Sequence, residues 1–131
     1  MSRPQIRKKL KHLLRRQEHL VERLLKSPPM VRGTFSRVQT RCGKPNCWCA
    51  HSAKGHAHTR ITWSTQGKLR TRKVPPDQID QIRELTENYR QFRSLRRTIA
   101  ALQTEMRLLF DDLETERVEQ ARTSLNLPDI E

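Results

Sequence analysis

All three cysteines of the chain fall within eight consecutive positions, Cys42-Gly43-Lys44-Pro45-Asn46-Cys47-Trp48-Cys49, and His51, His56 and His58 follow closely. The surrounding segment has little else to fold around. Between residues 31 and 74 its large apolar side chains are few: Phe35, Val38, Ile61, Trp63, Leu69 and Val74. A module that small cannot bury a self-sufficient core and needs another source of stability. Three soft thiolates and one imidazole match the donors of a closed tetrahedral zinc site, and a structural zinc can supply about 10–16 kcal/mol to such a module. The ligands read from the sequence are Cys42, Cys47, Cys49 and His56, with His51 and His58 as rivals for the fourth place. Gly43 and Pro45 suit a tight reversal, and Gly55 would let the loop return His56. Trp48, between two cysteines, is expected to screen the sulfur atoms, with an exposed stacking role as the alternative. A second chemistry for the same residues is thiol redox, through a Cys42–Cys47 or Cys47–Cys49 disulfide. Neighbouring cations would favour it by lowering thiol pKa values.

Charge is distributed as unevenly as sulfur. Of the 27 Lys and Arg and 14 Asp and Glu, which give a net +13, residues 1–26 hold nine basic and two acidic, and residues 27–74 hold ten basic and no acidic. The remaining residues are acidic on balance. A carboxylate-free stretch of that length suggests a polyanion partner, nucleic acid first and an anionic membrane surface second. It also leaves a metal without a nearby Asp or Glu as general base, so Glu-assisted hydrolysis has no local candidate and a non-enzymatic role is expected. Three clustered cysteines without a secretory apolar segment predict a cytoplasmic chain with reduced thiols. No apolar run approaches the ~20 residues that span a bilayer.

The two ends read as helices. From Arg3 to Lys26, the residues Ile6, Leu10, Leu13, Gln17, Leu20 and Leu24 recur at alternating spacings of three and four, with Leu14, Val21 and Leu25 widening the stripe. Ser27-Pro28-Pro29 ends this helix. After Pro75-Pro76-Asp77 a second seam runs through Leu85, Tyr89, Phe92, Leu95, Ile99, Leu102, Met106, Leu109 and Leu113, a coiled-coil period that slips phase between Phe92 and Leu95. Between the helices, strands are predicted at 34–40, 58–65 and 68–74, with Gln66-Gly67 as a hairpin turn.

The fold expected is therefore α+β: a basic amphipathic helix over 1–27, a zinc-stabilised three-stranded antiparallel module over 28–76, a long helix over 77–120 forming an antiparallel coiled-coil-like pair with the first, and a frayed tail over 121–131. The first helix is roughly 36 Å long and the second roughly 63 Å. With the β segment at the closed end, the first helix would be exhausted near residue 101, and the apolar seam beyond would call for a partner, most simply a second copy. The acidic residues Asp111, Asp112, Glu114, Glu116 and Glu119 then face either the basic first helix of a partner chain or the cationic module itself.

The run Gly33-Thr34, Arg41-Cys42-Gly43-Lys44-Pro45-Asn46-Cys47-x-Cys49, Gly55-His56, Val74-Pro75 and Glu87-Asn88-Tyr89-Arg90-x-Phe92 resembles a small prokaryotic family of unknown function, over roughly residues 31–100. The resemblance implies a thiolate metal knuckle on a hairpin followed by a long helix, and no established activity. Family members usually follow the histidine with Gly-Pro and an aromatic-rich strand, where this chain has Ala57-His58-Thr59.

On the predicted hairpin, Arg60 shares a strand face with Thr62, while Arg70 and Arg72 alternate with Leu69, Thr71 and Lys73. A twisted ribbon with cations on one face would lie along phosphates or enter a groove. Arg37, Arg41, Lys44, Lys54 and Lys68 extend the patch, and Arg7, Lys8, Lys11 and Arg15 of the first helix would track the backbone further out. The function expected is a zinc-containing nucleic-acid-binding accessory or regulatory protein, DNA favoured over RNA, acting as a homodimer, with a mobile element or recombinase as its setting. The alternatives are an adaptor that docks a larger protein through its helical seam, and a thiol redox or metal-handling protein.

Overall fold

The computed structural model describes residues 2–130 and has an α+β architecture. Its elements are α1 (Arg3–Leu25), β1 (Thr34–Thr40), β2 (His56–Thr65), β3 (Lys68–Lys73) and α2 (Ile79–Leu125), with 3-10 turns at Trp48–His51 and Pro76–Gln78. The chain divides into two compact units, one holding Pro28–Phe92 and the other holding α1 with the chain from Arg93 onward. That division falls where the apolar seam of α2 slips phase.

In the helical unit, Leu13 and Leu20 of α1 and Ile99, Leu102 and Leu109 of α2 form one buried cluster, flanked by Leu10, Val21, Leu24, Leu95 and Met106. Lys9, near the start of α1, lies 3.3 Å from Glu105, whereas the cluster extends to Leu24 on α1 and back to Leu95 on α2, so the helices run antiparallel. The ion pair is about half exposed at both ends and contributes at most ~1 kcal/mol; apolar burial sets the register. Gln17 occupies its seam position half-buried, but Leu14 and Leu25 are exposed rather than part of the stripe. The overlap also reaches Leu109 rather than ending near residue 101, because the first turns of α2 belong to the strand unit and the pairing with α1 begins later.

The end of the chain corrects a second expectation. Residues 121–125 continue α2, which closes on Asn126 with φ +53°. The Leu127 N–H donates to Arg122 O at 2.9 Å and the Asn126 N–H to Thr123 O at 3.4 Å. This is the paired bonding of a Schellman cap, with Asn in the left-handed position and Pro128 just beyond. Arg122 is held by Glu119 one turn earlier and by Asp129, 3.4 Å away.

In the strand unit, the sheet order is β1-β2-β3, antiparallel throughout. β2 begins at His56, two residues before the predicted start, because Thr40↔His56 and Gln39↔Ala57 still pair. Gln66 (φ 52°) and Gly67 (φ 75°) form the hairpin turn, both positive as a two-residue type I′ loop requires. Directly opposed residues project to the same face, so the register sorts the sheet. Phe35, Ile61 and Trp63 share one face with Arg70 and Arg72; Ser36, Val38, His58 and Arg60 share the other with Thr71 and Lys73. The first face packs on the start of α2: the Arg83 guanidinium lies 5.2 Å from the Phe35 ring centroid. Ile61, Trp63, Val74 and Ile82 line a cavity of about 310 Å³. The approach to the sheet is fixed by Val31 N–H donating to Leu85 O at 3.0 Å and by Asn88 Nδ2 donating to Pro29 O at 3.0 Å.

Candidate metal centre

The loop between β1 and β2 folds back twice, and each reversal has a local cause. Gly43 adopts φ +81°, a left-handed conformation that side chains resist, and the Cys47 N–H closes the turn onto Lys44 O at 3.2 Å. Trp48–His51 forms one 3-10 turn that buries Cys49 completely. Arg41 then straps the loop, its Nη2 donating to Ser52 O at 2.6 Å. Gly55 returns the chain against the end of β1, so close that a Cβ there would collide with the Thr40 carbonyl. We expect Gly55→Ala to lose metal retention, because the backbone must shift where His56 enters the cluster. Metal content of the purified variant checks this, and undiminished content would contradict it.

These reversals gather Cys42, Cys47, Cys49 and His56, whose donor atoms all lie within 4.8 Å of one another. Cys42 Sγ is 3.5 Å from Cys49 Sγ, and Cys47 Sγ is 3.1 Å from His56 Nε2. A tetrahedral site with metal–sulfur bonds near 2.3 Å and metal–nitrogen bonds near 2.0 Å has edges of roughly 3.5–3.8 Å, so the four donors fit around one ion and could ligate it. His51 and His58, the other histidines considered, lie outside this group; His58 Nδ1 instead sits 3.5 Å from Thr40 Oγ1. All three cysteines are free thiols. The close Cys42–Cys49 pair is neither of the disulfide pairings that the sequence suggested.

The electrostatics of the thiols differ. The Lys44 backbone N–H, aided by the Cys49 and His56 side chains, lowers the Cys42 thiol to about 6. At Cys49 the Cys42 N–H, 3.4 Å from Sγ, works in the same direction. Burial and the neighbouring thiols outweigh it, and the Cys49 pKa is raised. Trp48 meets the His56 ring edge-on at 4.9 Å between centroids, yet 59% of its surface is exposed. It steadies the imidazole while leaving most of its own face open.

The cations read from the sequence separate into groups. Arg37, Lys68, Arg70 and Arg72 are exposed along the apolar face of the sheet, while Arg60 and Lys73 stand on the opposite face. The expectation of one cationic face is thus corrected. Strand alternation places positions 70 and 72 opposite to 73. Arg41 is committed to Ser52; Lys44 and Lys54 are exposed on the cysteine loop; Arg7, Lys8, Lys11 and Arg15 are exposed on α1, in the other unit. Among the described residues no helix is long and apolar enough to cross a membrane.

The model of a family described as a domain of unknown function, DUF6788, matches residues 7–84, more than half of the chain, and the chain belongs to that family. The matched span takes in most of α1, the cysteine cluster and all three strands. No curated protein and no solved structure matches.

Proposed function

We propose that the chain is a zinc-stabilised nucleic-acid-binding accessory or regulatory protein, with DNA as the favoured ligand. The observation that carries this reading is the pairing of a four-donor cluster with a hairpin whose exposed side chains are cationic and whose segment lacks any carboxylate. Zinc suits three thiolates and an imidazole better than harder metals do. Four protein donors leave no open position for a reacting water, which favours a structural ion over a catalytic one. The ion's role is to hold the β1–β2 loop and β2 rigid so that cations meet phosphates without first being ordered. Titrating a labelled DNA duplex with the metal-loaded protein at low salt tests this, and undetectable binding overturns it.

The same reading includes a homodimer. From Leu108 onward the far part of α2 exposes Leu108, Phe110 and Val118. The acidic residues Asp111, Asp112, Glu114, Glu116 and Glu119 lie on this stretch, whereas α1 is basic. A second copy supplies both an apolar stripe and the opposite charge. We expect light scattering to give twice the chain mass for the native protein and the single-chain mass for the Phe110→Glu/Val118→Glu variant. A native monomer would contradict the dimer and leave the metal centre untouched.

A further inference from the structure

We propose that the sheet face turned away from Phe35 and Trp63 holds a binding site for one phosphate group. This deepens the nucleic-acid reading above and rests on it for the source of the phosphate. A groove of about 390 Å³ on that face is lined by Thr40 of β1, His58 and Arg60 of β2, and Thr71 and Lys73 of β3, and it abuts the metal cluster at Cys42 and His56.

Three independent features point to an anion there. Arg60 and Lys73 stand directly opposite each other in the β2–β3 register, a placement of like charges that is unfavourable unless something negative lies between them. No carboxylate occurs between residues 27 and 74, and among the described residues neither cation forms an ion pair. The Arg60 Nε, moreover, is buried with no hydrogen-bond partner among those residues. A buried donor without an acceptor is uncommon in folded proteins, and Nε together with a terminal nitrogen is the fork that grips two oxygens of a phosphate.

The rest of the lining supplies donors with no carboxylate to compete for them, and its one thiol, Cys42, belongs to the metal cluster. The two lining threonines make only long contacts: Thr40 Oγ1 is 3.5 Å from His58 Nδ1, and Thr71 Oγ1 is 3.4 Å from Thr62 Oγ1, which lies outside the lining, both at or near the limit of a hydrogen bond. These hydroxyls are therefore available to an incoming oxygen. Cations from two neighbouring strands and threonine hydroxyls from the two edge strands line one face, and the oxygens of a tetrahedral oxyanion can meet more of these donors than the two of a planar carboxylate. Because the groove abuts the loop that the metal holds, a phosphate seated there is positioned by the metal-held fold rather than by a mobile side chain alone.

The test uses the full-length metal-loaded protein and two probes. Inorganic phosphate is titrated while amide and side-chain NMR signals are followed, and a labelled DNA duplex is titrated at several salt concentrations. Phosphate is expected to shift Thr40, His58, Arg60, Thr71 and Lys73 together. Arg60→Lys, which keeps the charge and loses the fork, should weaken phosphate about tenfold. Arg60→Gln and Lys73→Gln should each flatten the salt slope of duplex binding by about one, whereas Arg97→Gln, on the exposed side of α2, should leave phosphate binding unchanged. Metal content reports whether each variant is still folded; Lys73→Gln, at an exposed position, guards against misfolding of the Arg60 variants. Phosphate binding without duplex binding would support the pocket and move its source to a free phosphate, overturning only the nucleic-acid reading. Duplex binding with no phosphate shift, or with a slope indifferent to both residues, overturns the pocket and leaves that reading standing.

Discussion

Removing the metal, or replacing Cys49 by Ser, is expected to unfold the strand unit while the α1–α2 pair stays helical. Cys49 is completely buried and is one of the four clustered donors. The apolar residues that β1, β2 and β3 bury are few, and β3 is exposed along its whole length. A structural zinc contributes about 10–16 kcal/mol, as large as the whole stability of an ordinary domain, about 5–15 kcal/mol, so the unit has no reserve that replaces it. The core of Leu13, Leu20, Ile99, Leu102 and Leu109 shares none of these ligands. Hydrogen exchange should show protection lost over 34–40 and 56–73 after chelation, with protection kept over α1 and the middle of α2. His51→Ala, outside the cluster, should change neither. Acid should act as chelation does. A ligand thiol must be deprotonated to bind metal, so protons compete with the ion for the sulfurs, less readily at Cys42, whose pKa is lowered to about 6, than at Cys49, whose pKa is raised. Metal retention therefore falls as pH falls.

The second large effect concerns salt. Binding to duplex DNA that neutralises about six phosphates gives a log–log slope near −5 and a loss of about 10³ in affinity between 50 and 200 mM salt. The strand unit contributes exposed Arg37, Lys68, Arg70, Arg72 and Lys73, and a dimer presents them twice. A slope near zero would mean that any binding observed is not made through phosphates and would remove the electrostatic basis of the proposed function.

Much of this molecule could be read from its residues, and the misreadings have physical causes. The two helices, the three strands and the Gln66-Gly67 turn follow from periodicity and from residues that tolerate positive φ. The cluster of Cys42, Cys47, Cys49 and His56 was legible because sulfur is concentrated there. The choice of His56 over His58 depended on Gly55, which has room against the Thr40 carbonyl only because it lacks a Cβ. The Schellman cap at Asn126 had a signal in the sequence, Asn followed two residues later by Pro. The distribution of cations could not be read correctly without the pairing register. It is the opposition of Arg60 to Lys73 that separates these two from Arg70 and Arg72 and marks the groove. Likewise, the end of the helix overlap depended on how many turns of α2 the strand unit claims for itself.

The account rests on an ion held between Cys42, Cys47, Cys49 and His56. Native mass spectrometry of the purified full-length chain, read together with elemental analysis, tests this most directly. The expected result is one zinc per chain, retained at neutral pH and lost from the Cys49→Ser variant. A metal-free chain whose β2 and β3 amides exchange as slowly as those of α1 would contradict it.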